Sequence, residues 1–304
     1  MKTLEAKLFD INHEEEWRAH LDEEGYVVLK DILPPRDKIY GFGLFAEDWK
    51  QVTPKFDLHD KTTWRPETCP LMWNKGMVYW NGFGQSNFMW YLRTHPRIRS
   101  VYERLFGTNE LVVSFDGFST FISHSQKSPS WLHIDQSPLF DYLSVQGSYN
   151  FLPVKEDDAG FCVIPRSHKT YRPEVKDPRN FLPIPLEDEH IERAVKLLMP
   201  ENCFTLWNSR TGHANAGMTK QKVELNRLTA YITYFPKKDR KEEVLQKRLN
   251  GYKEADNCSH WAIYHHKKAH PARSAARYES RGFNWIRPKL TEDGEIPPER
   301  LDLI

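Results

Sequence analysis

The residues whose types and spacing could do chemistry begin with Trp131-Leu132-His133-Ile134-Asp135-Gln136. An imidazole and a carboxylate stand two positions apart, with an apolar residue between them. On a strand, alternate side chains share a face about 6–7 Å apart along the chain. His133 and Asp135 can therefore converge on one ion while Ile134 points into the opposite layer. One more ligand would complete a two-histidine, one-carboxylate face, the arrangement typical of non-haem Fe(II) with open coordination positions. By itself His-x-Asp is weak evidence, because such triplets arise by chance.

A third candidate ligand is His213, in Leu206-Trp207-Asn208-Ser209-Arg210-Thr211-Gly212-His213, just past an apolar strand. Taken alone, a histidine there reads first as a surface-loop residue. The chain then returns through Asn226-Arg227-Leu228-Thr229-Ala230-Tyr231, and Arg227 lies 14 residues beyond His213, a length that a hairpin can close. An arginine opening a buried strand needs an anionic partner, because desolvating an unpaired guanidinium is costly. A bound dicarboxylate would serve, and so would an Asp or Glu of the fold. Thr229, two positions on, shares the face of Arg227 and can assist it.

Short strands must position these residues. Residues 111–115 are apolar, with continuation expected through Phe121, and a polar loop, 124–130, leads into the His133 strand. Residues 143–152, 161–165, 204–207 and 228–235 read as further strands. Many short strands with turn signals between them suggest a closed or double-sheet antiparallel fold. Ahead of them, Asn12 is expected to cap a helix with Glu15 reaching back, Trp17 and Leu21 marking its buried face and Gly25 stopping it. Residues 26–29 read as a strand, and a helix follows Pro34-Pro35 to about Trp49. Residues 53–93 are rich in aromatics without clear periodicity, as expected either of binding loops laid over a scaffold or of a satellite core. His95-Pro96 opens a helix that Gly107 ends, and 187–198 reads as a short charged helix.

The 304 residues suit one large domain or two small ones. A net charge of +1 excludes a chain built as a whole to hold nucleic acid. The first residues lack the apolar run of a signal peptide, and no stretch is long enough to span a membrane. Cys69, Cys162, Cys203 and Cys258 are scattered with no Cys-x-x-Cys pair, which argues against zinc ribbons and disulfide frameworks. A cytoplasmic globular protein is expected. Residues 237–281 carry 12 Lys/Arg against 6 Asp/Glu, an excess that could meet an acidic partner or simply be solvated helix surface. His265-His266 is rejected as a paired site, because neighbours on a helix point apart.

In order and spacing, this set resembles the phytanoyl-CoA dioxygenase-like branch of the Fe(II)/2-oxoglutarate oxygenases. The resemblance rests on Gly25-Tyr26-Val27-Val28-Leu29, Leu105-Phe106-Gly107, His133-Ile134-Asp135, Ala159-Gly160-Phe161-Cys162-Val163-Ile164-Pro165-Arg166-Ser167-His168, Trp207 to His213, and Arg227. It implies a mainly β protein with flanking helices and a double-stranded β-helix (jelly roll, cupin-like) core at about 111–236. The oxygenase domain would span 1–236, with 237–304 as a charged extension packed against it. It further implies that His133, Asp135 and His213 hold Fe(II), that Arg227 binds the distal carboxylate of 2-oxoglutarate, and that Tyr149 lies beside this cosubstrate. O2 is the second cosubstrate and ascorbate a candidate stimulant.

The reaction so implied is hydroxylation, with release of succinate and CO2. Halogenating relatives replace the carboxylate ligand by a small residue, whereas Asp135 is retained. The expected substrate is a small organic molecule, with a protein side chain as second choice and neither nucleic acid nor membrane as partner. Arg166 stands where the family usually has Gly, which predicts an altered loop near His168. That loop and residues 53–93 are expected to wall the pocket. Two other readings stand beside this one. A cupin-like divalent-metal hydrolase or isomerase needs no Arg227 in its pocket, and a non-catalytic oxygenase-fold protein would bind partners through its basic tail.

Overall fold

The computed structural model describes residues 2–65, 68, 76–122, 131–175, 180–220, 224–267 and 283–304. The expected loop 124–130, Cys69 and part of the 53–93 segment lie outside the described residues. Two sheets carry the fold. The larger runs, edge to edge, β2 (Leu8–Phe9), β3 (Tyr26–Leu29), β12 (Cys203–Asn208), β8 (Val145–Asn150), β14 (Arg227–Tyr231), β6 (Phe118–Phe121) and β4 (Met77–Val78). The smaller runs β1 (Lys2–Glu5), β11 (Val195–Leu198), β9 (Gly160–Val163), β13 (His213–Ala216), β7 (His133–Ile134) and β10 (Leu182–Pro183). A separate pair joins β5 (Leu111–Val113) to β15 (Tyr234–Pro236). Pairing is antiparallel except where β1 meets β11 and β2 meets β3, so the expected antiparallel core gains two parallel additions at its edges.

The sheets face each other across one buried cluster. Tyr26, Val28, Cys203, Trp207 and Tyr231 of the larger sheet pack with Phe161, Val163 and Leu197 of the smaller. This is a double-stranded β-helix. Strand alternation decides what each face carries. On β8, Val145 and Tyr149 join Phe151 in the outer core, against helices α2 (Pro35–Val52), α3 (Asn87–Thr94) and α4 (Pro96–Phe106), which follow α1 (Glu14–Glu24) in the chain. Gln146, Ser148 and Asn150 alternate with them and face inward. That core is largely aromatic, with Phe45, Phe83 and Phe88 set edge-on around Phe118 at centroid distances of 5.2–5.8 Å.

Several expectations change. His13, not Asn12, is the N-cap of α1, and no side chain caps it. The Asn12 N–H instead donates to Asp10 Oδ1 at 2.8 Å, a local turn that precedes the helix. Gly25 does stop α1, at φ 81°. Residues 187–198 are a 3-10 turn, Glu189–Arg193, followed by strand β11, because Val195 and Leu197 alternate into the core between the sheets. The runs 111–121 and 228–235 each break in two. In the first, β5 and β6 belong to different sheets, and Gly117 lies between them where an added Cβ would sit 2.1 Å from Val78 O.

The described part of 237–304 holds a 3-10 turn, Lys237–Asp239, the helix Glu242–Lys253, a short helix, Pro298–Leu301, and irregular chain at 254–267 and 283–297. They are packed in rather than laid on. Tyr252, Cys258, Ile286, Ile296 and Leu303 belong to the main core cluster. The buried Arg248 donates to Val113 O in β5 and to Ile304 O. No described helix is long and apolar enough to cross a membrane.

Candidate metal centre

His133 and His213 meet because β7 and β13 are neighbours in the smaller sheet, with the two histidines directly opposite in register. Their ring centroids lie 4.4 Å apart. Asp135 follows β7 where the chain bends, its N–H donating to Ser209 O at 2.8 Å. The bend brings the carboxylate closer than extended spacing would. His133 Nε2 is 3.6 Å from Asp135 Oδ1, and His213 Nε2 is 3.3 Å from Oδ2. One ligand atom from each of the three lies within 4.8 Å of the others.

Both imidazoles are oriented from behind. His133 Nδ1 donates to Trp131 O and His213 Nδ1 to Thr211 O, each at 2.9 Å. A ring whose Nδ1 holds the proton presents the Nε2 lone pair, the tautomer a metal needs. Burial, then the like charge of His133, lowers the His213 pKa, which keeps that ring neutral at pH 7. Burial alone would raise the Asp135 carboxyl. The charge and hydrogen bond of His133 and the hydrogen bond of His213 outweigh it and hold Asp135 well below the usual carboxylate range. Gln146 Nε2 adds a hydrogen bond to Asp135 Oδ2 at 3.1 Å. The loop ahead of His213 is pinned by Gly25, whose carbonyl accepts from the Thr211 hydroxyl at 2.9 Å. A Cβ on Gly25 would lie 2.4 Å from Thr211 Oγ1.

Arg227 opens β14 and is 2% exposed. Its Nε donates to Thr229 Oγ1 at 3.0 Å, and Thr229 donates onward to Asn150 Oδ1 at 2.7 Å. Nη1 and Nη2 are buried and have no hydrogen-bond partner among the described residues. Burial lowers the Arg227 pKa, yet a guanidinium stays charged in proteins. Tyr231, on the same face of β14, accepts from Asn215 Nδ2 at 2.8 Å. Asn215 is two positions from His213, so one inward-facing polar surface runs from Arg227 to the histidines.

Beside the three residues lies a cavity of about 590 Å³. Its metal end is walled by Trp131, Phe161 and Trp207, and its outer part by Tyr79, Phe181 and, from the C-terminal extension, Trp261. His260, also of the extension, has Nδ1 3.9 Å from Asp135 Oδ2. Sequence reading missed Gln146, His260 and Trp261. Gln146 had a signal, the polar alternation Gln146-Ser148-Asn150 within a buried strand. The other two follow an irregular stretch that offers none.

No family model matches the chain. A protein of Aspergillus versicolor, "Ava biosynthesis cluster protein O", is 26% identical over 264 residues, covering 80% of this chain and 84% of that one. A Dictyostelium discoideum protein, "Putative phytanoyl-CoA dioxygenase", is 21% identical, covering 70% of this chain and 72% of its own. Among solved structures, the epimerase SnoN in complex with Fe3+, alpha ketoglutarate and nogalamycin RO superposes with a TM-score of 0.51 at 17% identity, over 74% of this chain and 84% of SnoN. The non-heme alpha ketoglutarate dependent carbocyclase SnoK does so with 0.51 at 14%, over 75% and 87%. The chain is thus similar in sequence to a protein named as a putative phytanoyl-CoA dioxygenase and in fold to SnoN and SnoK.

Two expectations are corrected by the structure. Tyr149 faces the outer core, donating its hydroxyl to Asn202 Oδ1 at 2.8 Å. Period two puts Asn150 on the inner face in its place, bonded to Thr229. Arg166 adopts φ 64°, the left-handed turn that glycine favours, so the loop keeps a glycine-type turn without glycine. Its guanidinium pairs with Glu23 and Glu24 of α1, which turns it away from the cavity. Residues 53–93 do reach the cavity, through Met77 and Tyr79.

Proposed function

We propose that the chain is an Fe(II)/2-oxoglutarate-dependent oxygenase that oxidises a C–H bond of a small organic molecule, with hydroxylation as the reaction. The observation that carries this reading is a triad of two imidazoles and a carboxylate joined by one polar surface to a buried guanidinium whose two Nη ends are unpaired among the described residues. The residues fit the groups. Two Nε2 atoms and one carboxylate suit a divalent iron with open positions. The two Nη groups suit a carboxylate held in bidentate fashion, which is the far end of 2-oxoglutarate. Bound together, iron and 2-oxoglutarate supply the oxidising chemistry, consuming O2 and releasing succinate and CO2.

The chain's own part is positioning. His133, Asp135 and His213 hold the ion, with Trp131 O, Thr211 O and Gln146 fixing their orientation. Arg227, steadied by Thr229 and Asn150, anchors the cosubstrate. The aromatic walls exclude water and hold the substrate C–H beside the ion. A cavity of about 590 Å³ suits a cosubstrate and a drug-sized molecule. Its one described ammonium, Lys267, is already paired with Asp256 and Glu254. Coenzyme A would bring phosphates that require free cations, so an uncharged, ring-bearing substrate is the better match. The hydrolase or isomerase alternative leaves Arg227 without a role, and the binding-protein alternative leaves the oriented triad without one.

Anaerobic reconstitution with Fe(II), followed by O2, tests the proposal. Wild type is expected to convert 2-oxoglutarate to succinate, and His133→Ala is not. Absence of both metal binding and succinate in the wild type would falsify it. With substrate, a product gaining one oxygen atom supports hydroxylation. An isomeric or dehydrogenated product would instead indicate epimerisation or cyclisation, the reactions named for SnoN and SnoK.

A further inference from the structure

The C-terminal extension contributes to the metal centre. Between the helix Glu242–Lys253 and residue 267 it sends His260 and Trp261 into the cavity wall. His260 is 8% exposed, its ring 5.1 Å from that of Trp261. Trp261 in turn stacks on Phe235 of β15 at 5.5 Å, with an interplanar angle of 23°. His260 Nδ1 faces Asp135 Oδ2, the oxygen that also meets Gln146 Nε2 and His213 Nε2.

The extension is braced to hold this approach. Cys258 N–H donates to Phe115 O at 2.8 Å, fixing the backbone two residues before His260. Gln85 Nε2 donates to Asp256 O at 2.8 Å. On the other side, His265 bridges Asp256 Oδ2, at 3.0 Å, and Cys258 Sγ, at 3.5 Å. His265 lies so close over Gly251 that a Cβ there would sit 2.2 Å from its ring. A histidine held against a carboxylate by this much local structure is more than solvated surface.

We propose that His260 is a positioning residue for Asp135, reaching it through a hydrogen bond that forms directly or through one water when the ion is bound. The proposal rests on the function proposed above. At 3.9 Å the gap exceeds a direct hydrogen bond but is within the span of a small side-chain shift or a bridging water. Oriented in this way, Asp135 would present Oδ1 to the ion while Oδ2 is held by Gln146 and His260. Partners of this kind commonly set metal affinity by about 10–100-fold.

The test uses Mn(II), which binds without turnover, and the full chain in the presence of 2-oxoglutarate. Calorimetry with wild type, His260→Ala and His260→Asn is combined with the charge-transfer absorption of the anaerobic Fe(II)·2-oxoglutarate complex. Asparagine can place its amide N–H near the position of Nδ1. His260→Ala is expected to weaken Mn(II) binding about tenfold or more and to shift the absorption band, while His260→Asn restores both. Wild-type affinity and an unmoved band in His260→Ala would overturn the proposal. Failure of asparagine to rescue, with circular dichroism and melting intact, would also overturn it. Wild type that binds no metal at all would instead sink the oxygenase reading, so the two failures are distinguishable.

Discussion

Two walls of one cavity contrast in how they are built. The jelly-roll wall places His133, His213 and Arg227 on or at the ends of strands, where register sets distance and alternation sets direction. The wall from the C-terminal extension places His260 and Trp261 on irregular chain, where direction depends on anchors such as Cys258 N–H to Phe115 O. Ladder hydrogen bonds over-determine the first, so its side chains tolerate changes elsewhere in the fold. The second depends on a few contacts, which makes it the wall most easily altered to accept a different substrate.

The largest effect separating the walls is expected from the triad. His213→Ala should abolish metal binding and succinate release, a loss beyond the ~10–100-fold typical of residues that only orient ligands. Metal analysis of the purified variant checks it, and near-normal iron content would contradict the assignment. Next comes Arg227→Leu. Losing a charge-assisted contact of about 3 kcal/mol should raise the KM for 2-oxoglutarate roughly 100-fold. Without 2-oxoglutarate the same change should leave stability unchanged or raised, because it removes an incompletely paired buried charge. Melting curves with and without 2-oxoglutarate separate these outcomes. A large drop in melting temperature without it would show that Arg227 is structural.

Smaller effects sharpen the division between inner and outer faces. Tyr149→Phe should cost about 1 kcal/mol of stability through the lost bond to Asn202 and leave the KM for 2-oxoglutarate unchanged. A raised KM would return Tyr149 to the cosubstrate. Arg166→Gly should matter least. Relief of about 1 kcal/mol of left-handed strain is offset by loss of exposed pairs to Glu23 and Glu24 worth roughly 0–1 kcal/mol. A urea midpoint moved by more than a few tenths of a molar unit would contradict that balance.

What could be read from the chain follows the same contrast. His-x-Asp, the second histidine after an apolar strand and the arginine opening the next one are local patterns with fixed geometric consequences, and the structure brings His133, Asp135 and His213 together. Tyr149 is put beside the cosubstrate by the resemblance alone, whereas strand parity and the polar alternation around it mark Gln146 and Asn150 as the inner positions. Residues 187–198 misled for a related reason, since charged residues on a short 3-10 turn hid the alternation of Val195 and Leu197. His260 had no such signature. It reaches Asp135 through tertiary anchors supplied by distant residues, and no periodicity in 237–267 encodes them. The rejection of His265-His266 as a pair holds in a different way. His265 turns to Asp256 and Cys258, whereas His266 stacks on Tyr264.

The most direct test of the central claim is a crystal structure with Mn(II) and 2-oxoglutarate. One ion should be bound by His133 Nε2, Asp135 and His213 Nε2, with the distal carboxylate of 2-oxoglutarate on the Nη1 and Nη2 atoms of Arg227. An ion held elsewhere, or a 2-oxoglutarate that leaves those two nitrogens unpaired, would contradict it.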